Sequence, residues 1–128
     1  MVLDTDTISY YLRGVEPLKE KFSQHQHKLA STTVNYSELI YGLKKRDNKK
    51  YLPQVELIFE NIKVYDFDKK SAKVFGELKA TMQKKGVVVA DMDLMIASIV
   101  IANGERLISN NLGHFSKIED LEVESWVS

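Results

Sequence analysis

The sequence predicts an α/β fold, a mainly parallel twisted sheet with helices on both faces. Two observations carry that expectation. Short apolar, β-branched runs alternate along the chain with segments whose apolar residues recur at helical spacing. Strands that alternate with helices pair in parallel and bury both faces of their sheet. A third observation sets the scale: 128 residues with 44% hydrophobic content suffice for one core and leave no room for a second domain. Residues 1–128 therefore read as a single domain, with no repeat, linker or low-complexity tract.

Each element follows from its residues. Met1 to Leu3 is the first strand, and Asp4-Thr5-Asp6-Thr7 then offers side-chain oxygens to cap a helix through Leu12. Gly14 stops that helix and Pro17 starts another. Leu29 to Val34, β-branched around Thr32 and Thr33, reads as a second strand leading into a helix from about Asn35 to Lys45, with Tyr36, Leu39, Ile40 and Leu43 as its buried stripe. Leu52, Val55, Ile58, Phe59 and Ile62 recur at helical spacing, and Ile62 to Phe67 reads as a third strand. Ser71, Phe75, Leu78 and Met82 mark a long amphipathic helix that Gly86 ends in the left-handed conformation. Val87-Val88-Val89 approaches a further helix that begins at Asp91 or Asp93 and runs to about Asn103, where Gly104 caps it. Arg106 to Ser109 returns as a strand, and Leu121 to Val127 is the last.

Composition excludes several kinds of function. Eighteen basic and eighteen acidic residues cancel, so long-range attraction does not by itself select nucleic acid, and any such contact must come from local patches. The absence of cysteine removes disulfides, thiol nucleophiles and thiolate metal sites, and fits a reducing compartment. A cation held by oxygen ligands is what remains. No signal-peptide pattern opens the chain, and no apolar run approaches the roughly 20 residues of a membrane helix. A soluble, cytoplasmic protein without membrane attachment is the expectation.

Three acids stand where apolar segments meet helices: Asp4 after Met1-Val2-Leu3, Glu38 within Tyr36-Ser37-Glu38-Leu39-Ile40, and Asp93 before Leu94-Met95-Ile96-Ala97. A carboxylate at the edge of a core needs a partner or a cation to offset its desolvation. Ligands of parallel sheets bind outside the carboxyl ends of the strands, where Asp4 and the Ser109-Asn110-Asn111 turn are expected. Each acid also has a plainer reading. Asp93 suits the first turn of a helix, where the dipole favours it, Asp4 and Asp6 suit a cap, and Glu38 suits a solvated helix surface. Their combined pattern is what points to a divalent metal.

Val2-Leu3-Asp4-Thr5-Asp6, Asn35-Tyr36-Ser37-Glu38-Leu39-Ile40-Tyr41-Gly42, Asp93-Leu94-Met95-Ile96-Ala97 and Ile108-Ser109-Asn110-Asn111 followed by Phe115 together resemble the PIN-domain ribonucleases of the VapC type, the toxins of toxin-antitoxin pairs. The resemblance covers essentially the whole chain, and its motifs occur in the family's order and separations. It implies a PIN-like three-layer sandwich and places the family's acids on Asp4, Glu38 and Asp93. Asp91 does not match the family spacing. Two departures are that the family usually has asparagine where this chain has Asp6, and that many members have a further acid where Asn110 and Asn111 stand here. The implied activity is endoribonuclease cleavage dependent on Mg2+, or Mn2+, with Asp4 and Asp93 as metal ligands, Glu38 orienting or deprotonating the attacking water, and Asp6, Ser109 and Asn111 supporting them. RNA as substrate, a cognate antitoxin whose basic tail can block the acidic pocket, and a homodimer are further implications of the resemblance.

For RNA contact the candidate is Lys44-Lys45-Arg46-Asp47-Asn48-Lys49-Lys50, five cations in seven residues, which reads equally as a solvated loop. Lys84-Lys85 is a second patch. His25 and His27 read as solvated, and His114 lies near the site without a motif role. Trp126, Tyr65 and Phe67 read as core, while Tyr10 and Tyr11 read as candidates for an oligomer interface. Two other classes compete. Asp4-Thr5-Asp6-Thr7 also resembles the opening of haloacid-dehalogenase-like phosphatases, but their threonine or serine and lysine motifs fall before the late acids, whereas Ile108-Ser109 follows Asp93. A phosphoacceptor receiver domain, a non-enzymatic alternative, needs a lysine ending its fifth strand, and none ends the run from Val123 to Val127.

Overall fold

The structure, a computed structural model, describes residues 1–127. Five parallel strands, β1 (Val2–Leu3), β2 (Ala30–Thr32), β3 (Lys63–Tyr65), β4 (Leu107–Ile108) and β5 (Val123–Glu124), form one sheet in the order β3-β2-β1-β4-β5. All four pairings are parallel. The helices are α1 (Thr5–Leu12), α2 (Leu18–Gln24), α3 (Thr33–Lys45), α4 (Leu52–Asn61), α5 (Lys69–Lys84), α6 (Asp91–Ala102) and α7 (Leu112–Phe115), with a 3-10 turn at Lys49–Tyr51 before α4.

Alternation along the strands builds the layers, because successive side chains of a strand point to opposite faces. Val2 and Leu107 pack with Met82 of α5, Leu94, Ile96 and Val100 of α6, and Phe115 of α7. Their neighbours Leu3 and Ile108 pack the other way, with Ile8 of α1, Leu18 and Phe22 of α2, Leu39 and Leu43 of α3, and Val55 of α4. A three-layer sandwich with two cores is the result. α6 is the most deeply placed helix: Ile96, Ala97, Ser98, Ile99 and Val100 are all buried, and the Ser98 hydroxyl returns to the Leu94 carbonyl at 2.6 Å. A helix apolar around most of its circumference belongs inside.

Predicted and observed elements differ mostly at strand ends. The strands expected over Leu29 to Val34, Ile62 to Phe67 and Leu121 to Val127 pair over only two or three residues each. α3 begins at Thr33 because Thr32 is its cap: the Thr32 hydroxyl accepts the Asn35 backbone N–H at 3.0 Å. Asp4 occupies the cap position of α1 yet makes no capping hydrogen bond, since its carboxylate is engaged elsewhere. Gly86 follows α5 at φ +71°, the left-handed conformation expected of it. α7 has no counterpart among the predicted elements, because a four-residue helix carries no periodic pattern.

Other expectations moved with the packing. Tyr11 stacks face to face on Phe22, ring centroids 3.9 Å apart, and joins the core cluster instead of standing free for a partner. His25 stacks on the buried Trp126 at 5.3 Å, so it is half-buried instead of solvated. Lys85, half of the second basic patch, pairs with Glu119 at 3.0 Å. No helix among the described residues is long and apolar enough to cross a membrane.

Candidate active site

The strand order decides where the chemistry-bearing residues meet. β1 lies between β2 and β4, so the residues at or just beyond the carboxyl ends of these three strands become neighbours: Asp4, Thr32 and Ser109. Register enforces the meeting. Leu3 pairs with Ile108, and one residue further on the Ser109 hydroxyl donates to Asp4 Oδ2 at 2.7 Å.

Asp4 is held on both oxygens. Asn35 Nδ2, at the start of α3, donates to Asp4 Oδ1 at 2.9 Å and lies 3.0 Å from the Thr5 hydroxyl oxygen. Asn35 is itself fixed, since its Oδ1 accepts from the Thr32 hydroxyl at 2.7 Å, and it is fully buried. Thr5 passes the chain of bonds onward by donating to Glu38 Oε1 at 2.6 Å. Glu38 lies three residues after Asn35 on α3, the spacing that puts both on one helix face. Asp6 Oδ2 accepts the backbone N–H of Asn110 at 3.0 Å, tying α1 to the turn after β4.

Asp93 enters from α6, whose first turn carries it. Its Oδ2 lies 3.4 Å from His114 Nδ1, and the same ring nitrogen is 2.9 Å from Asn111 Nδ2. The Asn111 backbone N–H donates to the Ser109 hydroxyl oxygen at 3.0 Å. Asn111 therefore reaches the acids through Ser109 and His114 and touches none directly. Asp91 points away to an exposed ion pair with Lys79.

Electrostatics bind the set together. Burial pushes the Asp4 carboxyl up to about 7, the charges of Asp6 and Glu38 push the same way, and the hydrogen bonds from Ser109 and the Thr5 backbone oppose them. Glu38 is also raised, first by burial and then by Asp93 and Asp6, against the pull of its bond from Thr5. Asp6 is raised by burial. Among the described residues no lysine or arginine pairs with Asp4, Asp6, Glu38 or Asp93. Four acids thus crowd one end of the sheet with their charge uncompensated.

That donor set fits a hard divalent cation. Oxygen ligands suit magnesium and manganese, and magnesium keeps several waters and uses one or two carboxylates instead of a full protein cage. No three Asp, Glu or His side chains among the described residues converge on a single coordination point, since Glu38 is turned to Thr5 and Asp93 to His114. The structure brings together all six side chains that sequence reasoning selected, Asp4, Asp6, Glu38, Asp93, Ser109 and Asn111. Sequence reasoning gave no role to Asn35 or Thr5, and placed His114 near the site without one. The signal for Asn35 was its place three residues before Glu38, for Thr5 its place directly after Asp4, and for His114 its place three residues after Asn111.

Comparison with known proteins points one way. The family model described as the PIN domain matches residues 1–121. A ribonuclease VapC2 of Haemophilus influenzae is 30% identical, with 98% of this chain and 97% of that protein covered. The tRNA(fMet)-specific endonuclease VapC of Salmonella typhimurium is 29% identical over 98% of this chain and 96% of its own length. Among solved structures, DNA-bound VapBC from Salmonella typhimurium superposes with a TM-score of 0.90 at 29% identity, covering 98% of this chain and 99% of that one. VapBC2 from Rickettsia felis, bound to a DNA fragment from its promoter, gives 0.89 at 25% identity, covering 98% and 97%.

Proposed function

This chain belongs to the PIN-domain family, among its VapC-type ribonucleases, and we propose that it cuts RNA by metal-dependent phosphodiester hydrolysis at the Asp4, Glu38 and Asp93 cluster. The observation that supports the reading is the crowding of these acids, with Asp6, at the carboxyl ends of the central strands, where among the described residues no lysine or arginine pairs with them. Residues 1–128 act as one nuclease domain in this reading.

Asp4 and Asp93 are the ligands we assign to Mg2+ or Mn2+, directly or through water. Such an ion, when bound, lowers the pKa of a coordinated water and offsets charge on the phosphate oxygens. The protein supplies the rest. Asn35 and Ser109 each donate to one oxygen of Asp4 and so fix the carboxylate plane before substrate arrives. Glu38 gives Oε1 to the Thr5 hydroxyl, which leaves Oε2 to accept the proton of the attacking water. Burial and the charges of Asp93 and Asp6 raise its pKa, which makes its carboxylate a stronger base. Water adds to phosphorus, one ester bond breaks, and the departing oxygen takes up a proton. Asp6 holds the Asn110 turn in place, and His114 and Asn111 steer Asp93.

The reading extends to partners. Relatives of known structure are VapBC assemblies, which supports a toxin role for this chain with a cognate antitoxin. An antitoxin segment bearing basic side chains complements the uncompensated acids. We also assign it a homodimeric state and a place in the cytoplasm.

Cleavage of structured RNA by the purified protein tests this with magnesium, with manganese and with chelator, alongside Asp4→Ala and Asp93→Ala proteins shown to be folded. Metal-dependent cutting that falls at least 100-fold in both variants is the expected outcome. Folded, antitoxin-free protein that cuts no RNA class with either metal would sink the enzyme reading.

A further inference from the structure

The buried stripe of α3 is Asn35, Leu39 and Leu43, flanked by the half-buried Tyr36 and Ile40. Its solvent-facing side carries Tyr41 and Lys45, four residues apart on one face, with half-buried Glu38 at the edge between that face and Asn35. Tyr41 is 65% exposed and is the one aromatic ring among the described residues left this open. Lys45 Nζ lies 5.8 Å from its ring centroid, a cation-aromatic pair that leaves Tyr41 mostly open to solvent. Lys44 precedes Lys45, and Arg46, Lys49 and Lys50 follow it, all exposed. Lys50 stands 5.3 Å from the ring centroid of Tyr51 in a second cation-aromatic pair.

None of these five cations joins an ion pair among the described residues, whereas Lys79, Lys85 and Arg106 each face a carboxylate. α3 carries one acid, Glu38, and ends in Lys44 and Lys45, with Arg46, Lys49 and Lys50 following in the turn before α4. Seven residues separate Glu38 from Lys45, a rise of about 10 Å along the axis.

We propose that this outer row of α3 is a track for single-stranded RNA leading away from the cleavage site, with a base stacked on Tyr41 and the adjoining phosphate held by Lys45. The inference rests on the reading of the acid cluster as an RNA nuclease and adds a subsite to it. Rows that alternate aromatic rings with basic side chains suit single strands, because every base offers a face to stack and every linkage offers a charge. Phosphate held by Lys45, and around it by Lys44, Arg46, Lys49 and Lys50, also counters the repulsion that the acids exert on the same polyanion.

Fluorescence anisotropy of a labelled single-stranded RNA oligonucleotide, in chelator, reads binding by the full chain without cleavage. Tyr41→Ala is expected to weaken it about 5- to 150-fold, the equivalent of about 1–3 kcal/mol for one stacked base. Tyr41→Phe, which keeps the ring, is expected to bind as wild type does. Lys45→Gln is expected to lower the salt slope by about 0.7, one phosphate contact to a single strand. With metal present, Tyr41→Ala and Lys45→Gln should raise KM for the oligonucleotide while a dinucleotide, too short to reach the track, is cut at the wild-type rate. Variants that bind and cut the oligonucleotide as wild type does overturn the track and leave the nuclease reading standing. Wild-type binding that depends on Tyr41, without cleavage under either metal, does the reverse. Should Tyr41→Ala split a dimer in sedimentation while RNA affinity holds, the row is an interface between copies and the track is wrong.

Discussion

At the scale of single residues, Asp4 concentrates the tension of the site. It is 7% exposed, both its oxygens accept hydrogen bonds, and its neighbours are other acids. Its carboxyl rises from 3.8 to about 7 on folding, so the stability gained by keeping it protonated is complete below pH 3.8 and is lost as pH climbs to about 7. In chelator the protein should therefore be less stable at pH 8 than at pH 5, by about 2.6 kcal/mol from this group, the two pH units between 5 and 7 over which the folded carboxyl stays protonated and the unfolded one does not. Denaturant titrations across that range should show the slope, and Asp4→Asn should flatten it. Asn35 makes the second residue-scale prediction. Removing its carboxamide leaves Asp4 Oδ1 without its buried donor, so Asn35→Ala should cost about 1–3 kcal/mol in an unfolding titration. It should also lower cleavage about 10- to 100-fold, as loss of a ligand's supporting bond does. Unchanged cleavage would mean that Ser109 alone orients Asp4.

Among the elements, α3 does the most. Its first two turns deliver Asn35 and Glu38 to the site, and its buried stripe anchors them in the core with α1 and α4. That delivery depends on where the helix starts, and the start depends on Thr32. The Thr32 oxygen accepts the Asn35 N–H while its hydroxyl proton goes to the Asn35 carboxamide, so cap and ligand support are one arrangement. Thr32→Ala should lower stability by about 1 kcal/mol and reduce cleavage more than so small a loss of stability explains, with Thr32→Ser restoring both. Thermal melts beside initial rates separate the two effects. α6 plays the same part from the opposite side. Its buried length fixes the axis, so that Asp93 in its first turn emerges beside His114. α7 is short, yet fully buried Phe115 pins it, and with it His114 and Asn111, against the core.

For the whole molecule, two cores stabilise a sheet whose carboxyl end gathers mutually repelling charge. A divalent cation that binds only the folded state should offset that repulsion. At a hundredfold excess over its Kd the expected gain is about 2.7 kcal/mol. Magnesium or manganese should accordingly raise Tm at pH 7.5 in wild type and leave Asp4→Asn nearly unmoved, and an equal rise in both would place the ion elsewhere. Much of this architecture was legible in the chain. Apolar runs at Val2-Leu3 and Leu107-Ile108, the helical spacing of Ser71, Phe75, Leu78 and Met82, and Gly86 with its positive φ are local signals, set by side-chain periodicity and backbone sterics that residues carry wherever they fold. The candidate acids were legible too, because a charge at the margin of an apolar segment stands out in one dimension. Strand ends were not, since pairing stops where a neighbouring strand turns away. Nor were the roles of Asn35, Thr5 and His114, whose neutral side chains gain meaning only from what faces them. Sequence alone thus determined the α/β class and singled out the acids as candidates. Tertiary structure decided the strand order β3-β2-β1-β4-β5, and with it which residues more than a hundred positions apart, Asp4 and Ser109, share a hydrogen bond. The physical reason is that hydrogen bonds and burial act over a few ångströms of space, and only the closed sheet converts distance along the chain into distance of that kind.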